Sequence, residues 1–526
     1  MPINSLRIKN LRSIKKLTVA PSNLCALIGP NSVGKTNILK ALNLVIGEGW
    51  TTKAKVAREL FHDPNQRIEI EVGFSEPIAF TDRRDNKVRV ESIKLEMSME
   101  PELSAQTTIN GGSKFFAQDE FKKLCHFILI PSERNLVSEL RVSQWTMLGK
   151  LMRLVYENYV SQYRGDEQRL KDEFALKIQP AKEFLEHDFL ESEVTFKKFS
   201  DTFRKYCKEN SAGLANDFDP VLNIYNLNWF YKTLQINVKE NYPDRHFDSE
   251  EVGAGMQNLL LISIFQTYAE LMGGKVIFGI EEPEIYLYPQ AQRALYKNLI
   301  RLSENTQIIY STHNPNFVDA ARPDDIISLR KNPDKGTYVL EKDQSLNTER
   351  VEENKHKIHT HFNPERNELF FARKALLVEG ESDKIYFTTL CENIWNINLD
   401  ENGISIIECG GKRSVAYFVG VCRLLGYVDY FAIWDKDKAL EKAELLDEAK
   451  ATGKGLELEP NLEDVLGLPA GRNVDKVKNA YEWAANESNK PPTDFEKVRQ
   501  FLLEPEHDQS SVISPENGIN ADDIPF

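Results

Sequence analysis

The run Gly29-Pro30-Asn31-Ser32-Val33-Gly34-Lys35-Thr36 does most to limit what this chain can fold into. Its spacing, G-x-x-x-x-G-K-[ST], belongs to a loop whose backbone N–H groups wrap phosphates at the start of a helix. Such a loop needs a buried strand before it and a helix after it. Leu24-Cys25-Ala26-Leu27-Ile28 is a short apolar run ending at the loop, and residues 37–45 carry Ile38, Leu39, Leu42 and Val45 at helical spacing. The fold class expected is therefore α/β. Gly29, Asn31 and Gly34 shape the cradle, Lys35 reaches the β- and γ-phosphates, and Thr36 ligates Mg²⁺, with ATP as the expected nucleotide.

Three further runs belong with that loop. Val276-Ile277-Phe278-Gly279-Ile280 reads as a buried strand and ends in Glu281-Glu282-Pro283-Glu284. Glu281 is placed to hold the Mg²⁺ shell and Glu282 to polarise the attacking water. A helix over 289–302 and a strand over 307–310 lead to Ser311-Thr312-His313-Asn314-Pro315, where His313 can contact the γ-phosphate. Val252-Gly253-Ala254-Gly255-Met256-Gln257 opens a helix, and a glycine-rich helix start is an anion site.

A second cluster follows. Strands over 375–378, 404–407 and 430–434 alternate with helices over 382–391 and 414–425. The first strand ends at Glu379-Gly380, the third at Asp435-Lys436-Asp437. Parallel strands deliver ligands at their carboxyl ends, so Glu379, Asp435 and Asp437 converge although Glu379 and Asp435 are 56 residues apart. Hard oxygen ligands of this kind suit Mg²⁺ or Mn²⁺.

Between the halves of the first domain, residues 140–245 turn to long charged segments with helical patterning, at 148–163, 168–185 and 196–210. They read as a helical insertion serving as a dimerisation element, a simple packing arm being the other reading. Strands are expected at 67–74, 90–98 and 126–130, and residues 322–370 as a polar, strand-poor junction. The domain plan is thus 1–139 and 246–370 for the two halves of the ATPase, 140–245 for the insertion, 371–503 for the metal-binding domain, and 504–526 for an acidic, disordered tail.

Composition removes other classes. The chain of 526 residues is 41% hydrophobic and 28% charged, as a soluble globular protein is. No apolar run spans a bilayer and no signal pattern opens the chain, so a cytoplasmic location without membrane contact is expected. Six scattered cysteines form no CxxC pair, and His356, His359 and His361 have no cysteine nearby, so zinc is not expected. A net charge of −14 argues against coating nucleic acid by bulk charge, leaving local basic stretches at 7–16 and 83–89, each of which also reads as an ordinary solvated face.

The order of the nucleotide motifs resembles the ABC class of ATPases in its SMC/RecF-like branch, as does the opening Ile8-Lys9-Asn10-Leu11-Arg12-Ser13. That resemblance implies head-to-head dimers in which Gly255 caps the ATP of the opposite subunit. Here Gly253 replaces the usual serine two residues before the signature glycine. Val378-Glu379-Gly380-Glu381-Ser382-Asp383 followed by the DxD resembles a Rossmann-like Toprim domain, with Asp383 at its second acidic position. An ABC-type ATPase with a helical insertion followed by a Toprim domain resembles the OLD (overcoming lysogenization defect) family of nucleases. In that family Asn461-Leu462-Glu463 would supply a second metal ligand in Glu463, and Asn489-Lys490-Pro491 a lysine, Lys490, that stabilises the pentavalent phosphate. The insertion would serve dimerisation. The resemblance implies an ATP-controlled, metal-dependent DNA endonuclease, a homodimer or larger homo-oligomer, acting against phage beside a helicase or reverse-transcriptase partner, with RNA left open as substrate. The alternative is an ATP-gated sensor or scaffold controlling a partner effector, its Toprim site silent or acting on RNA. A topoisomerase reading lacks a winged-helix region with a nucleophilic Tyr, and a primase reading lacks a zinc-binding cysteine set.

Overall fold

In the computed structural model, the residues described are 2–115, 118–133, 136–141, 143, 146–161, 166–183, 198, 201–202, 236–239, 246–273, 275–319, 322–340, 365–425, 428–436, 444–469 and 473–504. The chain forms two compact units, one of residues 1–132 with 273–526 and one of residues 133–272.

In the first unit, strands β1 (Ile3–Leu11), β2 (Ile14–Val19), β3 (Leu24–Ile28), β4 (Ile68–Thr81), β5 (Lys87–Ser98), β6 (Ser104–Ile109), β7 (Ser113–Lys114) and β8 (His126–Ile130) precede the second unit. The second unit holds the antiparallel pair β9 (Asn237–Lys239) and β10 (His246–Asp248). Then come β11 (Val276–Glu281), β12 (Ile308–Ser311), β13 (Ile326–Asn332) and β14 (Gly336–Val339). Twelve of these strands make one sheet in the order β7-β6-β5-β4-β1-β2-β14-β13-β3-β12-β11-β8.

The sheet changes character along its width. From β13 through β3, β12 and β11 to β8 every pairing is parallel. The remaining pairings are antiparallel. The residues follow this division. Strands β3, β11 and β12 are buried at every position, as a parallel strand covered on both faces must be. The paired stretch of β4 alternates buried Ile68, Ile70 and Val72 with Glu69 and Glu71, as a sheet with one wet face does.

The parallel block sets the site. Its register aligns Glu281 with Ser311, and Ser311 with Leu27, so the ends of β11, β12 and β3 share one edge. Gln307 locks the start of β12 to the N-terminus: its amide accepts from Ile3 N at 2.7 Å and donates to Ile3 O at 3.0 Å.

The stretch expected to be strand-poor, 322–370, is corrected by β13 and β14, which bridge the parallel and antiparallel halves of the sheet. Ile326, Ile327 and Leu329 are buried there. A short turn leads from β13 into β14, which pairs on its other side with β2 at Gly336 and Ile14.

A second sheet follows: β15 (Lys374–Val378), β16 (Ile404–Glu408), β17 (Asp429–Asp435) and β18 (Gly455–Leu458), all parallel, in the order β16-β15-β17-β18. The helix Glu381–Asn393 buries Tyr386, Phe387 and Leu390 against Trp483 and Phe495 from the C-terminal helical segments. Lys374, 4% exposed, places its ammonium on carbonyls at the end of the last helix, Glu496–Leu503, where the helix dipole favours a cation.

Within the second unit, the helix Ala254–Met272 begins at the glycine-rich run and Gln257 anchors it, donating to Ser249 O and Glu250 O. Where the sequence pattern puts the insertion at 140–245, the compact unit runs from 133 to 272 and includes this helix. Of the expected insertion helices, Met147–Ser161 and Glu167–Glu183 are described, and most of 184–235 lies outside the described residues. So do the three histidines of 356–361 and the tail from 505.

Candidate functional site

The phosphate loop is held from two distant parts of the chain. Gly34 sits at φ +110°, a left-handed conformation in which side chains are strained, and a Cβ there would lie 2.6 Å from Thr337 Oγ1. Thr337 donates to Val33 O at 2.7 Å, and its hydroxyl shares a hydrogen bond with Ser13 at 2.7 Å. Asn37 on the following helix, Lys35–Ile46, donates to the same Ser13 hydroxyl. Ser13 and Thr337 thus clamp the loop from β1–β2 on one side and β14 on the other.

Lys35 is buried, and its ammonium donates to Gly29 O and Pro30 O, each at 2.9 Å. Burial pulls its pKa from 10.5 down to about 8, against the opposing pull of Glu282 and Glu284. The loop opens on a cleft of about 570 Å³, whose lining includes Asn31, Gly34, Lys35 and Thr36 together with Glu282 and His313. The four sequence runs 29–36, 281–284, 311–315 and 10–13 therefore meet, the last through Arg12 and Ser13 on the cleft wall.

Glu281, at the end of β11, is buried and its Oε2 accepts from Ser132 N at 3.1 Å and Ser132 Oγ at 3.3 Å, just past the neighbouring strand β8. Glu282 turns out of the strand at φ +46° and its N–H donates to Ser311 O at 2.9 Å. That turn presents its side chain to the cleft while Glu281 stays in the sheet. His313 is held by its backbone: its N–H donates to Glu284 Oε1 at 3.0 Å, and Thr312 Oγ1 donates to the same oxygen at 2.7 Å. Burial, then the nearby Lys35 charge, lowers the imidazole's pKa to about 4, so the ring is neutral at physiological pH. Burial also pushes the Glu284 carboxyl above its usual range.

Glu284, Ser132, Thr337 and Lys331 were given no role by the sequence. Glu284 carried a signal, since it lies in the same acidic turn. Thr337 and Lys331 carried none, because their strands were not expected. Gly255 belongs to the second compact unit, at the second position of its helix.

The second site forms at the ends of β15 and β17. Asp435 N–H donates to Glu379 Oε2 at 3.0 Å, across 56 residues. Gly410 and Gly411 N–H donate to Glu379 O at 3.0 and 2.9 Å, fixing the backbone from the β16 side. Asp383 caps its own helix, accepting from Gly380 N at 2.8 Å. Burial pushes its pKa up to about 7; the Gly380 hydrogen bond opposes this, and the charges of Glu379 and Glu463 add to it. Glu463, buried on the helix Leu462–Leu466, pairs with Lys476 at 3.2 Å.

Glu379, Asp435, Asp383 and Glu463 thus belong to one neighbourhood. Two qualifications come from the geometry. Among the described residues, which leave out Asp437, no three His, Cys, Asp or Glu side chains are gathered closely enough to hold a metal ion. The helix cap turns Asp383 toward Gly380, and Lys476 draws on Glu463. Asp437 lies outside the described residues. Lys490 is exposed in the turn after the helix Asn473–Ala485, where neighbouring Asn489 bonds back to Trp483 O. The donor chemistry does fit a hard cation: oxygen ligands only, at strand ends where burial, with the charges of Glu379 and Glu463 adding to it, raises the Asp383 carboxyl to about 7.

Comparison with known proteins agrees with both halves. Two overlapping matches to the AAA ATPase domain family cover residues 1–122 and 83–318, more than half the chain. The chain belongs to that family. Residues 370–437 match the family described as overcoming lysogenization defect protein-like, TOPRIM domain. An ATPase domain followed by an OLD-like Toprim domain is the OLD-type arrangement. Among curated relatives, an OLD nuclease of Thermus scotoductus is 28% identical over 83% of this chain and 82% of its own length. The Old nuclease of Escherichia phage P2 is 22% identical over 80% and 75%. Endonuclease GajA of Bacillus cereus VD045 is 23% identical over 81% and 73%. A solved SMC head domain of Pyrococcus furiosus with an extended coiled coil, bound to the C-terminal domain of ScpA, aligns with TM-score 0.41 and 16% identity over 68% of this chain and 99% of its own. No helix among the described residues is long and apolar enough to cross a membrane.

Proposed function

We propose that this chain is an ATP-binding and ATP-hydrolysing, divalent-metal-dependent DNA endonuclease of the OLD type. The observation that carries this reading is the hydrogen bond between Asp435 N–H and the Glu379 carboxylate, beside a complete phosphate-loop cleft in the same compact unit. Two chemistries, each needing its own carboxylates, stand ready in one body.

At the nucleotide cleft, the loop N–H groups and Lys35 bind and orient the phosphates of ATP. Thr36 and Glu281 would hold the Mg²⁺ that travels with them. Glu282 faces the cleft to align the attacking water, and neutral His313 accepts or donates a hydrogen bond at the γ-phosphate. At the Toprim site Glu379, Asp435, Asp437, Asp383 and Glu463 would hold Mg²⁺ or Mn²⁺. Held there, the cation would supply activation of a water and charge support for the leaving oxygen of a phosphodiester. Lys490 is the proposed cation for the developing charge on phosphorus. The chain is proposed to pair head to head, with Gly255 closing the partner's ATP site, and to act on foreign DNA in defence against phage, beside a helicase or reverse-transcriptase partner.

The alternative is an ATP-gated sensor or scaffold with a silent Toprim site. Incubating supercoiled plasmid with Mg²⁺ or Mn²⁺, with EDTA as control, separates the two. Nicking or linearisation that EDTA stops supports the nuclease. An intact plasmid in either metal, with or without ATP, from a chain that still hydrolyses ATP contradicts it and supports the sensor.

A further inference from the structure

A short stretch of backbone lies between the two sites and touches both. The 3-10 helix Arg366–Phe370 precedes β15. Its Asn367 is 7% exposed, and the side-chain amide donates to Pro315 O at 2.9 Å and to Val318 O at 3.0 Å. Those carbonyls belong to the turn that directly follows His313.

That turn is cross-linked by side-chain hydrogen bonds. Asn314 caps it by accepting from Asn316 N at 2.9 Å. The side-chain amides of Asn314 and Asn316 both donate to Gln292 Oε1 at 2.9 Å. Gln292 in turn donates to Leu287 O, and Glu284 holds Thr312 and His313. A displacement of His313 would reach Pro315 and Val318 through side chains that share acceptors, with little slack to absorb it.

The neighbouring residue faces the other site. Arg366 Nε donates to Glu408 O, at the end of β16, at 2.8 Å. Its guanidinium lies close against Gly410, where an added Cβ would meet Nη2 at 3.0 Å. Gly410 and Gly411 hold the backbone carbonyl of Glu379, and Cys409 N–H holds Val378 O at 2.9 Å. From the cleft to the Toprim ligand the links are therefore His313, the 315–318 turn, Asn367, Arg366, the 408–411 turn and Glu379.

We propose that Arg366 and Asn367 are positioning residues that carry the nucleotide state of the ATPase to the Glu379 end of the Toprim sheet. The proposal rests on the ATPase and Toprim reading of the two sites. Its chemistry explains the residue type at 367: both bonds require a donor facing two carbonyls, and a carboxylate of the same size would face them with repulsion.

Hydrogen exchange on the full chain tests this, with Mg²⁺ and a non-hydrolysable ATP analogue as probe. In the wild type the analogue should change the exchange rate of the 409–411 amides by about fivefold, the lower end of ordinary site-to-site coupling. Asn367→Asp should bind the analogue and turn over ATP within about twofold of wild type, while the response at 409–411 falls toward none. Arg366→Leu cuts the chain at its other end and should do the same, which covers failure of Asn367→Asp to fold. A full response in either folded variant, or none in the wild type, overturns the proposal. Plasmid cleavage run on the same samples separates it from the nuclease reading: a wild type that shows the exchange response but cuts nothing upholds the coupling and removes the nuclease.

Discussion

Lys35 is the residue whose environment says most about ligand binding. Burial disfavours its charge and brings its pKa to about 8 from an ordinary 10.5. Between those values the unfolded chain binds more protons than the folded one, so the ligand-free protein should gain stability as pH rises through that window. Nucleotide phosphates reverse the preference, because they favour the ammonium. Above pH 8 binding must therefore take up a proton. ATP-analogue affinity, measured by titration, should be flat from pH 6.5 to 7.5 and fall by up to about tenfold per unit above pH 8. In Lys35→Arg, whose side chain stays charged, the decline should vanish. A wild-type affinity unchanged to pH 9.5 would contradict this. The placement of single residues was unevenly legible. Lys35, Glu282 and His313 stood beside strand ends and line the cleft as a set. Ser132 acts on a neighbour's carboxyl group, and a contact of that kind leaves no spacing in a sequence.

At the scale of elements, the phosphate loop depends on parts that local pattern does not join. The strand β3, the loop and the helix Lys35–Ile46 were legible because apolar spacing changes from continuous to helical across the glycines. β13 and β14 were not. Their hydrophobic run is short, and they are fixed by pairing with β3 and by the Ser13–Thr337 hydrogen bond, across 324 residues. The Toprim strands β15, β16 and β17 were legible as apolar runs, while β18, only Gly455–Leu458, was missed because half of it faces partial solvent. The loop itself gives an element-scale prediction. Gly34→Ala meets both a left-handed backbone and two hydroxyls within 2.8 Å. It should lower unfolding stability by about 1–3 kcal/mol in chemical denaturation, the range of a strained backbone residue. Gly111→Ala, also left-handed but with no neighbour within 4 Å, should cost less, and an equal cost would mean the Ser13–Thr337 clamp does not constrain the loop.

For the whole molecule, the phosphate-loop cleft and the Glu379–Asp435 site share one compact unit and are joined through part-buried polar contacts around residues 366–367. Their order along the chain was legible because each motif sits at a strand end. Their connection was not, since it uses backbone carbonyls and one asparagine amide. A net charge of −14 also fits a molecule that engages nucleic acid through a confined site rather than a broad basic face. The central claim is that the two sites run separate chemistries, and one paired measurement tests it: phosphate release from ATP and cleavage of supercoiled plasmid, in wild type, Lys35→Ala and Asp435→Ala. Asp435→Ala should keep wild-type ATP turnover and lose cleavage, while Lys35→Ala should lose ATP turnover by about 10²-fold or more, as removal of a charge-stabilising donor does. Cleavage at the wild-type rate in Asp435→Ala would contradict it.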